Sequence, residues 1–358
     1  MSIDALKRDN AKPSRKKAVI LMVVLAIALI VLFFLGLMVG SSNMGLSRSF
    51  MALFGQGDST DIRIVQQIRL PRLLAALVAG MGLSISGLIM QSTLRNPMAS
   101  PATLGVSNAA VFGANLSIIG FAGGFLSTGN NVSNYATSAN PFATSSVAFV
   151  FAFASVLLIL GICRLRSFSS ESVVLAGIAI GSIWTAATTL LQYFATDVGL
   201  SAAVIWTFGD LGRATFQTDL IMAIVVIVCS LFFILLRYRY NALAHDAEVS
   251  STLGINVTLF RFLSLLLSSL ITAVVVSYLG IIGFVGIICP HAVKRIIGNN
   301  HSMTIPASLL SGAVLLLFAD LISKLIGNGL SLPIGAITAI LGGPFFLYLI
   351  FARKGDKA

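Results

Sequence analysis

Gly177, Gly181, Thr185, Thr188 and Gln192 follow one another at steps of four, four, three and four residues, which stacks them on one face of an α-helix. Glycines at that spacing let helices approach closely. Hydroxyl and amide groups suit a water-accessible path, because each costs free energy when it faces lipid. Packing is the reading for the two glycines and a path the reading for Thr185, Thr188 and Gln192. Gly80, Ser84, Gly87 and Gln91 repeat the design at steps of four, three and four.

Other chemistry is sparse. The chain has twelve carboxylates, nearly all in polar connections. Asp320 is the exception. It lies four residues before Lys324 and reads as a helix-end ion pair rather than a proton relay. No GxxxxGK[ST] loop occurs, so any ATP that powers this protein is hydrolysed on another polypeptide. His245, His291 and His301 fall at the ends of apolar runs or in loops, without HExxH or other ligand spacing. They read as surface histidines, and no metal site is expected. Cys163, Cys229 and Cys289 sit in or beside apolar stretches without CxxC pairing and read as buried thiols.

The elements that carry these residues are set by composition. Of 358 residues 57% are hydrophobic and 10% charged, and the mean hydropathy is +0.98. That leaves too little polar surface for a soluble globule and excludes a soluble enzyme. A bilayer core of about 30 Å needs roughly 20 apolar residues per helix. Ten segments qualify: 18–39, 73–93, 102–122, 142–163, 172–195, 219–236, 258–279, 280–297, 304–326 and 332–352. Only Gly280 and Gly283 mark a turn between the seventh and eighth. The expected protein is all-α and polytopic: a basic tail over 1–17, one membrane domain over 18–352 and a short tail over 353–358.

A net charge of +11 hints at nucleic acid in a soluble chain, but here the Lys and Arg residues sit between apolar runs and set topology. Ten spans place 17 of the 23 basic residues on the side of both termini and leave Arg48, Arg63, Arg69, Arg72, Arg213 and Lys324 on the other. The positive-inside rule makes the first side cytoplasmic. Two further segments are punctuated. Pro97 and Pro101 end the second span and turn the chain, and 241–254, NALAHDAEVSSTLG, permits a short amphipathic helix on the cytoplasmic surface, against a default of a solvated loop.

An ordered series of motifs resembles the permease subunits of ABC importers for iron siderophores, haem and cobalamin, the FecCD type. They are RLPR at 69–72, SGLIMQ at 86–91, NPMASPATLGVSNAA at 96–110, IWTFGDL at 205–211, LGIIGFVGIICPHAVKRIIG at 279–298 and LPIGAITAILGGPFF at 332–346. The resemblance implies a ten-helix subunit in a prokaryotic cell membrane, with an inverted repeat of spans 2–5 and 7–10; the proline turns at Asn96-Pro97 and Cys289-Pro290 give that repeat faint support in the sequence. It implies a homodimer, or a dimer with a close homologue, around one path. Two ATPase subunits below would carry ATP and magnesium, and a substrate-binding protein would dock above. This chain itself would hold no cofactor and meet no nucleic acid.

By the same resemblance the fifth spans line the path through Gly177, Gly181, Thr185, Thr188 and Gln192, with Ser169, Ser170, Glu171 and Ser172 at the cytoplasmic gate. For the gate residues helix capping is the plain alternative. ATPase coupling would fall on Asn241, Ala242, Leu243, Ala244, His245, Asp246, Ala247, Glu248, Leu253 and Gly254, although His245 and Asp246 replace a Leu-Gly pair common there. Arg69, Arg72 and Lys324 match positions that pair with acidic residues of the binding protein, and Lys324 replaces an arginine. The function expected is passage of an iron-siderophore or related chelate by alternating access. Haem or cobalamin is the alternative cargo, and an ion-coupled secondary transporter the rival class.

Overall fold

The computed structural model describes residues 15–40, 42, 44–121, 140–165, 170–244, 254, 256–327 and 332–352. Among these the secondary structure is helical. In chain order the helices are α1 (Arg15–Met38), α2 (Leu46–Leu53), α3 (Ser59–Thr93), α4 (Val106–Phe121), α5 (Pro141–Leu165), α6 (Ser170–Tyr193), α7 (Asp197–Thr207), α8 (Phe216–Leu235), α9 (Arg237–Ala244), α10 (Val257–Leu279), α11 (Val285–Ile297), α12 (His301–Ile326) and α13 (Ile334–Ala352). Helices α1, α3, α5, α6, α8, α10 and α12 are long and apolar enough to cross a membrane.

Every segment expected to span contains a helix. Helix α10 ends at Gly280, whose φ of +80° continues no helix, and α11 begins after Phe284. That confirms the division read from Gly280 and Gly283. The third segment is broken: a 3₁₀ turn over Pro101–Leu104, capped by Ser100 and Thr103, meets α4 at the left-handed Gly105.

Two prolines behave otherwise than their local signal suggests. Pro71 lies inside α3, which starts fourteen residues before the expected 73. A π-helical stretch at Ile64–Arg69 ends two residues before it, the widened turn that lets a helix pass a residue with no N–H. Pro290 lies inside α11 and is not a turn. Its missing donor frees the Gly286 carbonyl, which accepts from Gln91 Nε2 of α3 at 3.2 Å.

Helix α3 is the axis of the bundle, packed on α12, α10 and α11. A Cβ on Gly80 would meet the Gly312 carbonyl oxygen at 2.3 Å, and one on Gly87 the Gly286 oxygen at 1.8 Å. Between these crossings Ser84 donates to Ser308 O at 2.6 Å. The stripe Gly80, Ser84, Gly87, Gln91 is therefore a backbone-to-backbone packing seam.

Candidate functional site

The stripe on α6 closes in the same way. A Cβ on Gly177 would meet Thr103 O at 2.4 Å, and one on Gly181 would crowd Asn108 and Gly105. Asn108 Nδ2 donates to Gly181 O and to Thr185 Oγ1, both at 3.2 Å, and Gln192 Nε2 donates to Asn115 Oδ1 at 3.0 Å. Thr188 is buried and its hydroxyl returns to Trp184 O. Gln192 is thereby turned toward α4, where its amide finds a side-chain acceptor, and the Thr188 hydroxyl is satisfied within α6 itself.

The open face of α6 is displaced from that stripe. Leu175, Ala179, Ser182, Ala186, Thr189 and Tyr193 are exposed at steps of four, three, four, three and four, and Thr185 lies exposed at its margin. Ser182 and Thr189 turn their protons onto Ile178 O and Thr185 O, leaving oxygen lone pairs outward. At the helix start Ser170 and Ser172 are half-buried and Glu171 exposed in the first turn, where a carboxylate complements the dipole. Ser169 lies outside the described residues.

At the end of the bundle where α1 and α12 terminate, a buried ion cluster forms. Asp320, with no exposed surface, holds Arg72 Nε at 2.6 Å and Lys324 Nζ at 2.7 Å. Arg72 also lies 3.9 Å from Asp210. Arg69 donates to the carbonyls of Leu37, Met38 and Ser42 and to Ser42 Oγ, and Lys324 to Gly36 O at 3.3 Å. These cations cap the C-terminus of α1. The expected Asp320–Lys324 pair exists but is a buried triad, and Arg69, Arg72 and Lys324 are all under 8% exposed. The three residues assigned to docking turn their guanidinium and ammonium groups onto buried carbonyls and the Asp320 carboxylate within this subunit.

Beside this cluster three of the motifs converge. Gly209, of IWTFGDL, has φ +71° and its carbonyl accepts from Ile334 N at 3.0 Å; Phe208 O accepts from Gly335 N, and Asp210 N donates to Leu279 O. Arg213 donates to Ile205 O and Trp206 O at the end of α7; burial lowers its pKa, opposed by Asp210.

At the opposite end α9 carries the start of the segment assigned to coupling. Tyr240 is fully buried, with its hydroxyl 2.8 Å from Ser264 Oγ of α10, and burial pushes its phenol upward, so it remains a hydroxyl. Leu243 is buried and Ala242 half-buried. Arg95 donates to Leu243 O through Nε and Nη2 at 3.1 and 2.8 Å. Gly254 is exposed at φ +76°; His245, Asp246, Ala247, Glu248 and Leu253 lie outside the described residues. His301 is not the surface histidine expected. It is 2% exposed and bonded through both ring nitrogens.

Asp219 was hidden in the sequence at a span boundary. It is buried in the first turn of α8, and neither carboxylate oxygen has a hydrogen-bond partner among the described residues. The three cysteines are free and buried, as expected.

A model of the FecCD transport family matches residues 28–352. An ABC transporter permease protein of Methanocaldococcus jannaschii is 44% identical over 94% of this chain and 95% of its own length. The hemin transport system permease protein of Yersinia pestis is 33% identical over 93% and 97%. The solved structure of a metal-chelate type ABC transporter, in an inward-facing conformation, superposes with a TM-score of 0.77 at 26% identity, covering 93% of this chain and 99% of that one.

Proposed function

The chain belongs to the FecCD transport family, whose members are membrane transport subunits served by separate ATPases, and we propose that it carries an iron chelate of the siderophore class across the cytoplasmic membrane. Two copies would face each other through α6 and open alternately to either side as ATPases close beneath them. The observation that carries this reading is the free face of α6. A membrane helix whose small residues Ala179, Ser182, Ala186 and Thr189 stay uncovered, while its glycine face is closed on α4, has a face suited to a second copy and a polar path.

The positive-inside count orients the molecule with α9 and both termini in the cytoplasm. The ion cluster then lies under the outer surface, beneath the place where a binding protein would sit. An iron chelate is favoured as cargo by the resemblance and by the names of relatives; haem is the second reading, because the Yersinia relative is named for hemin. Both require a wide path with few charges, in keeping with the α6 face.

Reconstitution with the ATPase and binding protein tests the reading. Vesicles should accumulate the ferric chelate only with ATP inside the ATPase-facing compartment, and the double change Ser182→Ala with Thr189→Val, which removes both hydroxyls and adds no bulk, should lower uptake while leaving the complex assembled. Uptake that ignores ATP and collapses with an uncoupler would instead establish the secondary transporter.

A further inference from the structure

Helix α9 is eight residues long, yet three positions within four residues of it are tied to three different spanning elements. Tyr240 reaches α10 through Ser264. The Leu243 carbonyl is gripped by Arg95, just past the end of α3. Asn241 reaches the start of α12: its Oδ1 accepts from the His301 backbone N–H at 2.8 Å and lies 2.8 Å from His301 Nδ1, while its Nδ2 donates to Asn300 Oδ1 at 3.2 Å.

These bonds fix the chemistry of the ring. A backbone N–H can only donate, so the Asn241 atom beside it is the oxygen, and His301 Nδ1 must carry a proton to bond it. In the neutral ring Nε2 is then the acceptor facing Ser92 Oγ, 2.7 Å away on α3, whose one proton is shared with Leu88 O at 2.8 Å. The chain continues inward. Lys294 Nζ of α11 donates to Ser92 Oγ at 3.5 Å and to Gln91 Oε1 at 3.3 Å, and Gln91 Nε2 holds the Gly286 carbonyl freed by Pro290. One line of polar contacts thus runs from α9 through α12 and α3 into the proline-interrupted part of α11. Gln91 and His301 are each at most 3% exposed and Asn241, Ser92 and Lys294 half-buried, so the bonds of the first two are shielded from competing water.

We propose that Asn241, His301, Ser92, Lys294 and Gln91 are positioning residues for transport, transmitting a displacement at the C-terminus of α9 to α3 and α11. The proposal rests on the ATP-driven reading above and deepens it. Packing alone would tie α9 to the bundle through Tyr240 and its aromatic neighbours Phe233 and Phe260. The hydrogen-bonded line adds direction, because each bond fixes the relative position of two elements that no turn connects. Pro290 supplies the compliant point, since the ladder of α11 is already open at Gly286.

The test compares ATP hydrolysis with uptake in vesicles holding the whole complex. His301→Phe, which preserves a ring against Tyr240, should leave the ATPase bound and hydrolysis within about twofold, while chelate carried per ATP falls about tenfold, within the usual range of coupling between sites. Ser92→Ala, a single hydroxyl at a half-buried position, serves if the first variant does not fold, and should lower the same ratio. An unchanged ratio in an assembled complex overturns the relay and leaves the ATP-driven reading standing. A parallel loss of hydrolysis and uptake also overturns it, by reducing these residues to scaffold. Absence of ATP-dependent uptake in the unaltered complex overturns the reading beneath both.

Discussion

Asp320 serves two cations at once, and it is the residue on which the α1–α3–α12 end depends. With no exposed surface and partners at 2.6 and 2.7 Å, its carboxylate offsets the burial of Arg72 and Lys324. Removing one member of a buried pair costs about 3–5 kcal/mol, because the remaining charge is left desolvated and alone. Asp320→Asn should therefore lower the thermal unfolding midpoint in detergent sharply, whereas Asp61→Asn, which breaks a pair with the exposed Arg48, should change stability by less than about 1 kcal/mol. Equal shifts would remove the buried triad from its structural role. Asp219 separates the two transport classes. A carboxylate buried without a partner is the kind of group an ion-coupled carrier uses, so Asp219→Asn should leave ATP-driven uptake within about twofold if the protein works as proposed. A tenfold or greater loss would revive the proton-coupled alternative. Which residues share a face was legible at this scale, since it follows from helical periodicity. Whether the face is covered was not: nothing in the spacing of Gly177 to Gln192 reveals that Asn108 and Asn115, on another helix, meet it.

Helix identity was readable because apolar runs of spanning length admit only helices in lipid. The ends were less so wherever proline intervened. Pro71 falls outside the span read from 73 and Pro290 reads as a turn, yet both lie within helices, the first beside a π turn and the second where Gln91 from a neighbouring helix replaces the lost bond. Such compensation comes from tertiary neighbours and leaves no local signal. Helix α7 was missed because its 11 residues fall short of a span; Thr196, bonded to Gly199 N at 3.1 Å, caps it. The glycine seams make the packing itself testable. A methyl at position 87 would lie 1.8 Å from Gly286 O, whereas one at Gly161 on α5 meets nothing within 4 Å. Gly87→Ala should force α3 and α11 apart, costing at least the 1–3 kcal/mol typical of overpacking and reducing the yield of folded protein. Gly161→Ala should be neutral or slightly stabilising through helix propensity. A Gly87→Ala protein as stable as the parent would mean that the two helices are not in backbone contact.

Across the whole molecule the burial is lopsided, and the lopsidedness points to an assembly. Helix α3 is 78% buried over its most apolar stretch and α6 only 22%, so one is an axis and the other an edge. Lipid covers an apolar edge without cost, which explains α8 with its exposed Leu220, Ile224, Ile227, Leu231 and Leu235. The α6 edge is different, because it interleaves Ala179, Ser182, Ala186 and Thr189 with Leu175, Leu190 and Tyr193; small residues on an exposed face gain little from lipid and much from a second helix. A two-fold dimer makes such an interface self-complementary, so residues near the axis meet their own copies. Single cysteines placed in turn at Leu175, Ala179, Ser182, Ala186 and Thr189 should therefore yield a cross-linked dimer under mild oxidation at one position or more, where the Cα atoms come within about 7 Å. Cysteines at Leu220, Ile227 and Leu235 on α8 should not. The native Cys163, Cys229 and Cys289 are buried and contribute no background. Cross-linking on α8 as efficient as on α6, or none on α6, would move the interface elsewhere and with it the path, since the polar groups of the α6 face would then be meeting lipid.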